Sequence, residues 1–364
     1  MATRPGKQTS GTQGISESPV AETSSVSRST QESESGPRSS ARTSFSRVYR
    51  TLFCVLAFAM SLLCFPSAVL WMAAGWIVWH AVLAAMNRPA WLPLVTGVAV
   101  LVLKLVPRTP AMLVLAGVML TVAAFRWNVL RVGILVPARV QFTCLAVLVV
   151  SWGWATIEMD AIGRSSSPGN YDSTKPVVCI GDSLTQGMIP DRGYPGQLET
   201  LIQSPVINLG YSGITSNQGA GLVGRALDYD PQAVIIELGG HDFLKGHQRE
   251  VTKKNLVAMI EACQAMGVDV ILMEIPRGFM FDPYASLERE IAYQHDVQLI
   301  SDDWLRQIVL MSPVAPPGMW MPGAQLSDDG IHSNQRGSLA IAHRVRDSLV
   351  DLYGSDVVRT DPAD

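Results

Sequence analysis

Charged side chains are scarce in this chain, and cysteines are few. Lys, Arg, Asp and Glu make up 16% of the 364 residues, 48% are hydrophobic, and the formal net charge is −3. The sequence has no basic patch interleaved with aromatic residues, which argues against a nucleic-acid partner. The five cysteines form no close pair, so we expect small buried hydrophobic residues rather than a disulfide framework. Metal-ligand spacings and phosphate-binding glycine loops are also missing, which predicts neither a metal nor a cofactor.

Residues 1–45 have almost no large apolar side chains. Because such a segment cannot bury enough surface to offset the entropy of ordering, we predict a disordered polar tail. It does not resemble a secretory signal, since the apolar sequence begins too late and is followed by more apolar segments.

Residues 46–159 hold most of the apolar excess, which predicts a membrane region of about five transmembrane helices. The alternative, a helical core of a soluble protein, would need a very large domain around it. The first two predicted spans are the two halves of residues 51–86, which Phe65-Pro66-Ser67 separates. The other three are 91–106, 111–125 and 141–157.

Basic residues predict the orientation of these spans. Most of them fall at one end of the predicted bundle, and Trp152 and Trp154 are placed like interfacial anchors. Five spans then place the C-terminal domain outside the cytoplasm, whereas an even number would reverse the side. The apolar stretch 129–137 could change the count. The arginines at the predicted inner end are Arg42, Arg47, Arg50, Arg88, Arg126, Arg131 and Arg139, with Arg108 opposite.

Residues 160–175 are rich in Ser, Pro and Gly and predict a linker. Residues 176–353 then alternate strand and helix patterns, and 354–364 form a short tail. Such alternation predicts a three-layer α/β/α domain with a mostly parallel five-stranded sheet and ligands at the carboxyl ends of the strands. The predicted strands are 176–180, 205–209, 233–238, 268–274 and 297–300, and the predicted helices are about 194–203, 216–228, 250–266, 286–295 and 335–352.

Four motifs fall at or beside these carboxyl ends. A serine follows the first strand, and a serine hydroxyl needs a base and an orienting group to become a good nucleophile. The motifs are Gly181-Asp182-Ser183-Leu184, Asn208-Leu209-Gly210-Tyr211-Ser212-Gly213-Ile214-Thr215, Glu237-Leu238-Gly239-Gly240-His241-Asp242 and Asp329-Gly330-Ile331-His332.

Together the four motifs resemble the SGNH, or GDSL-type, hydrolase superfamily, above all its arylesterase and lysophospholipase-like thioesterase branch. The resemblance covers about residues 175–352 and implies a flavodoxin-like SGNH fold. It makes Ser183 the nucleophile, His332 the general base and Asp329 its orienting partner. The spacing of Asp329 and His332 also lets the carboxylate reach one ring nitrogen and leave the other for the serine proton.

Backbone N–H groups of Ser183 and Gly213 are the candidate donors to the developing oxyanion. Taken alone, Gly213 after Ser212 could simply allow a backbone conformation with positive φ, and Asp329 could simply cap the helix that follows. Position 241 departs from the superfamily pattern, in which Asn is the third donor. Three interpretations of His241 stay open: a substitute donor, a group retuned for another substrate, or a mark of weak or lost activity.

The sequence thus predicts a membrane-tethered serine esterase that hydrolyses acyl esters: a lysophospholipid, another acyl ester, or an O-acetyl group on an acylated glycan. The alternatives are an O-acyltransferase acting on an envelope glycan and a catalytically silent binding domain of this fold. Two apolar loops, 277–281 and 317–322, are candidates for an acyl pocket or a membrane contact, and equally for simple cover of the core.

Overall fold

The structure is a computed structural model. Several sequence predictions lie outside the part of the chain that it describes: the polar tail, most of the first span, and nearly all of the two apolar loops. The described residues are 52, 55–59, 68–104, 108–166, 168–188, 192–277, 282–306, 308 and 326–360.

Four apolar helices precede the sheet domain, and residues 55–59 are also helical. Thr109 caps the third helix and Pro110 is its first residue, a position where proline costs no hydrogen bond. That helix ends at Gly133, whose φ of 72° is easy only for glycine. The helix therefore covers residues 129–132 of the apolar stretch 129–137, and residues 134–137 have no regular structure. The bounds are α1 Val69–Ala85, α2 Trp91–Leu103, α3 Pro110–Val132 and α4 Ala138–Ala161.

Helices α3 and α4, with 23 and 24 residues, are long and apolar enough to cross a membrane. Helices α1 and α2 are apolar but have 17 and 13 residues. The four helices pack around a shared core that includes Leu94, Leu115 and Leu148. Many of their large apolar side chains nevertheless face outward, such as Trp71 and Phe142, which are 68% and 73% exposed.

The second part of the chain forms the predicted parallel sheet. Its five strands have the order β2-β1-β3-β4-β5 and are parallel throughout. The α/β fold class is therefore confirmed. The strands are β1 Val177–Gly181, β2 Val206–Gly210, β3 Ala233–Glu237, β4 Asp269–Met273 and β5 Gln298–Ile300.

Helices cover both faces of this sheet. Alternate side chains of a strand point to opposite faces, so each strand packs against helices on both sides. Cys179 and Ile235 pack on the face covered by the helices Gly193–Leu201 and Gln335–Tyr353. Val178 and Val234 pack on the opposite face, which the helices Arg249–Ala265 and Leu287–His295 cover. The predicted helix 216–228 is divided in two by Gly221 and Leu222. The helices are α5 Ser183–Gln186, α6 Gly193–Leu201, α7 Ser216–Ala220, α8 Val223–Leu227, α9 Gly240–Leu244, α10 Arg249–Ala265, α11 Leu287–His295, α12 Asp303–Arg306 and α13 Gln335–Tyr353, followed by a 3-10 turn Ser355–Val357.

Candidate active site

Ser183 stands at the carboxyl end of the central strand β1, as the first residue of the short helix α5. Asp182 caps this helix by accepting the N–H of Leu184 at 3.1 Å. A Cβ at Gly181 would lie 1.9 Å from Thr185 Oγ1, so only glycine fits before this cap. Residues 181–186, which we call the nucleophile turn, leave the Ser183 side chain half-buried at the edge of the sheet.

A buried glutamate supports the nucleophile turn from the neighbouring strand. Glu237, the last residue of β3, accepts the backbone N–H of Asp182 at 3.1 Å and the Thr185 hydroxyl at 2.9 Å, both through Oε2. It has no exposed surface. Burial, and then the charge of Asp182, raise the pKa of Glu237 well above its usual value. Burial and the neighbouring Asp182 therefore favour the protonated form of Glu237.

Asp182 lies between this acid and two histidines. Burial raises the pKa of Asp182, whereas its bond from Leu184 and the charges of His241 and His332 act to lower it. His241 Nε2 is 3.9 Å from Asp182 Oδ2. The structure thus gathers His241 and His332, which come from distant parts of the sequence, around the residue that precedes Ser183.

Asp329 and His332 form the hydrogen bond that their spacing predicts. Asp329 Oδ2 is 2.6 Å from His332 Nδ1, and Oδ1 accepts the backbone N–H groups of His332 at 2.7 Å and Ile331 at 2.9 Å. Although partial burial raises the pKa of Asp329, these bonds hold it well below its usual value. The carboxylate therefore stays ionised, fixes the ring through Nδ1, and leaves Nε2 as the outward nitrogen.

Residues 326–334, which we call the base turn, close on themselves before α13 begins. Ser327 and Ser333 form an antiparallel bridge, and the Asn334 N–H donates to the Leu326 carbonyl at 3.0 Å. The Asn334 side chain then caps α13 by accepting two backbone N–H groups. This local closure fixes the position of the imidazole, and Leu326 packs the turn against the core of the sheet.

No hydrogen bond joins Ser183 Oγ to His332 within the described residues, although His332 lies close enough to act on the charge of Asp182. Bonds of this kind are often long in a site without substrate and shorten when substrate binds. Because His332 acts on the charge of Asp182, the nucleophile turn and the base turn are neighbours at one edge of the sheet.

Gly213 lies on the loop after β2, in front of the nucleophile turn. Its φ is 78°, and a Cβ there would meet nothing within 4 Å, so backbone conformation and not space calls for glycine. The Gly213 carbonyl accepts a hydrogen bond from Lys245 Nζ at 2.8 Å, which fixes the loop to the segment after α9. In the described part of the chain, the N–H groups of Ser183 and Gly213 donate to no other group.

His241 lies on α9, and the loop that carries it is joined to the Gly213 loop. Asp242 accepts the Ser216 N–H at 2.7 Å and the Ser216 hydroxyl at 2.6 Å. Burial raises the pKa of Asp242, but the bonds from Ser216, His247 and Thr252 together hold it below its usual value. The His241 side chain is 25% exposed, so its ring stands between the Asp182 carboxylate and solvent.

A buried ion pair supports the glycines before His241. Arg277 Nε donates to the Gly239 carbonyl at 3.2 Å, and the same guanidinium pairs with Glu288, which is completely buried. A Cβ at Gly239 would lie 2.6 Å from Arg277 Nη2. This contact explains the glycine, whose φ is 121°.

None of Glu237, Arg277 and Glu288 was predicted to support the site, although Glu237 begins the third motif and Arg277 begins the apolar loop 277–281. A charged residue closing the apolar strand Ala233–Glu237 was the available signal for Glu237. Arg277 and Glu288 are separated by 11 positions and meet only through the packing of α11. No local pattern marks such a pair.

A parallel α/β sheet with a serine turn, an Asp–His turn and free backbone donors at one edge defines the class of SGNH-type ester hydrolases. The model of the GDSL-like Lipase/Acylhydrolase family matches residues 179–340. The chain is 30% identical to "Thioesterase 1/protease 1/lysophospholipase L1" of Escherichia coli K12 over 190 residues, which are 50% of this chain and 86% of that protein. The chain therefore belongs to the GDSL-like lipase/acylhydrolase family, and its C-terminal domain is a carboxylic ester hydrolase.

Two further matches cover the same domain. The arylesterase of Vibrio mimicus is 29% identical over 191 residues, which are 49% of this chain and 90% of that protein. The psychrotrophic esterase EstA from Pseudoalteromonas sp. is a solved structure with 25% identity and a TM-score of 0.40, covering 49% of this chain and 97% of that one.

Proposed function

We propose that the chain is a membrane-anchored serine esterase in which Ser183, His332 and Asp329 form the catalytic triad. The observation that carries this proposal is the Asp329–His332 bond of 2.6 Å at the same edge of the sheet as Ser183. A carboxylate on Nδ1 holds the tautomer whose Nε2 can accept the serine proton.

The reaction proceeds in two balanced steps. Ser183 Oγ attacks the acyl carbon while its proton passes to His332 Nε2, and the alcohol leaves with that proton. Water then attacks the acyl-enzyme, gives a proton to His332, and releases the carboxylic acid as the proton returns to Ser183 Oγ. Asp329 stays ionised throughout and stabilises the imidazolium.

Three donors stabilise the oxyanion in this proposal: the N–H groups of Ser183 and Gly213, and the His241 ring. Support comes from the two unused backbone donors and from the joining of both loops by Asp242 and Lys245. Fixed donors aimed at developing charge need no reorganisation during reaction. His241 stands at the position where the superfamily pattern has Asn, and in this proposal its ring N–H is the third donor.

Residues 46–159 cross the membrane in this proposal, and residues 176–353 form the hydrolase domain. Support comes from α3 and α4, which suit a bilayer, and from the outward apolar side chains of the bundle. Glu158 near the end of α4 accepts the N–H of Ala111 at 3.0 Å, so α3 begins where α4 ends. Arg88, Arg131 and Arg139 then belong to the opposite end of the bundle, with Lys104 and Arg108 at the end nearer the hydrolase domain.

The extracytoplasmic side fits this distribution, because basic residues favour the cytoplasmic end. The predicted first span adds Arg42, Arg47 and Arg50 to the end that carries Arg88. The substrates that suit such a position are lipid esters or O-acyl groups on an envelope glycan.

The test is hydrolysis of p-nitrophenyl esters, from acetyl to palmitoyl, by the full chain in detergent micelles. Ser183→Ala should reduce the rate by about 10³-fold or more, because the nucleophile is lost. Ser212→Ala is the matched control, since Ser212 is exposed on a nearby loop, and it should keep the wild-type rate. Equal rates for wild type and Ser183→Ala would refute the triad.

Two further outcomes would select the alternatives. Product that carries the acyl group on an added methyl glycoside would indicate an acyltransferase. Absence of turnover on every chain length by a folded protein would indicate a silent binding domain.

A further inference from the structure

The segment that joins α4 to β1 is attached to the hydrolase domain at several points among its described residues, 162–166 and 168–175. We call residues 162–175 the strap. The Leu299 N–H donates to the Gly163 carbonyl at 2.7 Å, the Ser165 N–H donates to Gln298 Oε1 at 3.1 Å, and the Ser166 N–H donates to Asp296 Oδ1 at 3.0 Å. The bonded partners run from residue 299 back to residue 296 as the strap runs forward from 163 to 166, so the strap runs antiparallel along the outer side of β5.

The strap then crosses the edge of the sheet at which the strands begin, which we call the amino edge. The Gly169 N–H donates to Asp269 Oδ2 at 2.9 Å, at the start of β4. Lys175 pairs with Asp230 at 2.9 Å, just before β3, and the chain enters β1 two residues later. Gly163 bonds Leu299, one residue before the end of β5, so the strap begins near the opposite, carboxyl edge.

The end of α4 lies at this carboxyl edge. Arg289 Nη1 contacts Met159 Sδ at 3.8 Å, and the same guanidinium bonds Glu274, the residue after β4. Ser183 stands at the same edge after β1, three strand spacings from β5, or roughly 14 Å. The helix that leaves the membrane thus reaches the hydrolase domain beside its candidate site.

The distance from that edge to the membrane is short. Trp154 is 47% exposed and faces outward near the end of α4, as an interfacial aromatic residue would. Seven residues separate Trp154 from the end of α4 at Ala161, or roughly 10 Å of helix. A domain attached to this end by its carboxyl edge is held close to the lipid headgroups.

Large apolar side chains are exposed around the candidate site. Met188 follows the nucleophile turn, Leu244 ends the helix that carries His241, and Ile331 precedes His332. They are 55%, 71% and 59% exposed, and we call them the rim. The amino edge also exposes a large apolar side chain, Met266, but it carries several exposed aspartates, which favour water over an anionic membrane surface. These exposed aspartates are Asp172, Asp228 and Asp230.

We infer that the strap holds the hydrolase domain with the carboxyl edge of its sheet facing the bilayer, so that the rim contacts lipid and Ser183 receives acyl esters from that leaflet. This inference rests on the proposed function. It adds that the substrate is a membrane-resident ester taken directly from the lipid surface, and that the strap positions the domain instead of tethering it loosely.

Spin labels test the orientation without any activity measurement. Cys54, Cys64 and Cys144 are replaced by Ser, the buried Cys179 and Cys263 are kept, and one label is attached at Leu244→Cys or Met266→Cys. Leu244 and Met266 are 71% and 68% exposed but lie at opposite edges of the sheet. The full chain is reconstituted in vesicles of phosphatidylcholine and phosphatidylglycerol.

Accessibility to dissolved oxygen and to a water-soluble nickel chelate then locates each label. The label at position 244 should favour oxygen, because oxygen concentrates in lipid, and the label at position 266 should favour the chelate. Equal preference for the chelate at both positions would overturn the orientation, whatever the protein hydrolyses.

A strap variant tests the consequence for substrate. A Cβ at Gly163, where φ is 92°, would lie 2.5 Å from Leu299 Cβ, whereas a Cβ at Gly267, where φ is 70°, would meet nothing within 4 Å. Gly163→Ala should reduce hydrolysis of p-nitrophenyl palmitate in the vesicles by about tenfold and leave soluble p-nitrophenyl acetate unchanged, since only the placement of the site is altered. Gly267→Ala, which carries similar backbone strain, should change neither rate.

Equal loss on both esters, or no loss on either, would overturn the role of the strap. Failure of the proposed function is distinguishable: wild type would then show no Ser183-dependent hydrolysis of the soluble ester, while the labels would still report which edge faces lipid.

Discussion

Buried groups support the turn that carries Ser183, whereas the pair of side chains that supplies the base, Asp329 and His332, is partly exposed. Under the nucleophile turn, Glu237 has no exposed surface and the Asp182 side chain is 7% exposed. In the base turn, the side chains of His332 and Asp329 are 30% and 48% exposed, and their bonds are local. The nucleophile turn is thus supported from the core, while the Asp329–His332 pair lies at the surface of a turn whose ends, at Ser327 and Ser333, are buried.

This difference predicts how substitutions will separate activity from stability. A change under the nucleophile turn removes buried contacts and should affect the stability of the domain. A change in the base turn should reduce activity and leave stability nearly unchanged, because exposed charge pairs contribute little. Cys179 and Cys263, both fully buried, report unfolding of this domain when their thiols become reactive.

The largest effect is expected for His332→Gln. Loss of the general base should reduce kcat by about 10³-fold, and thiol exposure of Cys179 and Cys263 on heating should follow the wild-type curve. Combining it with Ser183→Ala should add little, because the two residues act as a unit. A large drop in the unfolding temperature would show that the base turn belongs to the core and would remove the contrast.

Asp329→Asn should come next, with a loss of about 10²- to 10³-fold in kcat and little change in KM. An amide can place its N–H₂ toward His332 Nδ1, which selects the wrong tautomer. The control is Asp328→Asn, since Asp328 is exposed and its carboxylate contacts only the Asn334 amide among described residues. Comparable losses in both variants would indicate a general effect of charge at this turn.

Sequence patterns found the parts of this architecture that depend on neighbours in the chain. The nucleophile turn and the three-residue spacing of Asp329 and His332 are local, and alternating apolar strands specify a covered sheet. Glu237 meets Asp182 across 55 positions, and Gly163 meets Leu299 across 136, so neither contact leaves a local signal. The composition of residues 160–175 predicted a linker, whereas α4 continues through Ala161, and composition does not say what a connection binds.

His241 lies between the two turns, and its substitution should have a smaller effect. His241→Ala should reduce kcat by about 10- to 100-fold, because one oxyanion donor is lost. His241→Asn restores a donor of the type in the superfamily pattern and should lose less. The measurement is kcat for p-nitrophenyl butyrate, and equal losses in the two variants would argue against a donor role.

The smallest effect on activity, within about threefold at pH 7, is expected for Glu237→Gln, because the amide keeps the shape and the acceptor oxygen of the acid. Stability should instead change its dependence on pH. Since burial and Asp182 raise the pKa of Glu237 well above its usual value, the folded state keeps a proton that the unfolded state loses above about pH 4.5.

The free energy of unfolding of the wild type should therefore fall as pH rises above about 4.5, by up to about 1.4 kcal/mol per pH unit for one proton. The stabilising effect of the proton is fully present below that pH and is lost as pH approaches the raised pKa. Glu237→Gln carries no such proton and removes a neighbouring acid from Asp182, so its slope should be flatter. Calorimetry of the wild type and Glu237→Gln full chains in the same detergent, from pH 5 to 8, gives the slope of the free energy of unfolding against pH for each. Titration of groups in the helical bundle is the same in both chains and cancels in the difference between the two slopes. Parallel curves would mean that Glu237 is ionised in the folded state, and the nucleophile turn would then rest on a buried charge and not on a neutral acid.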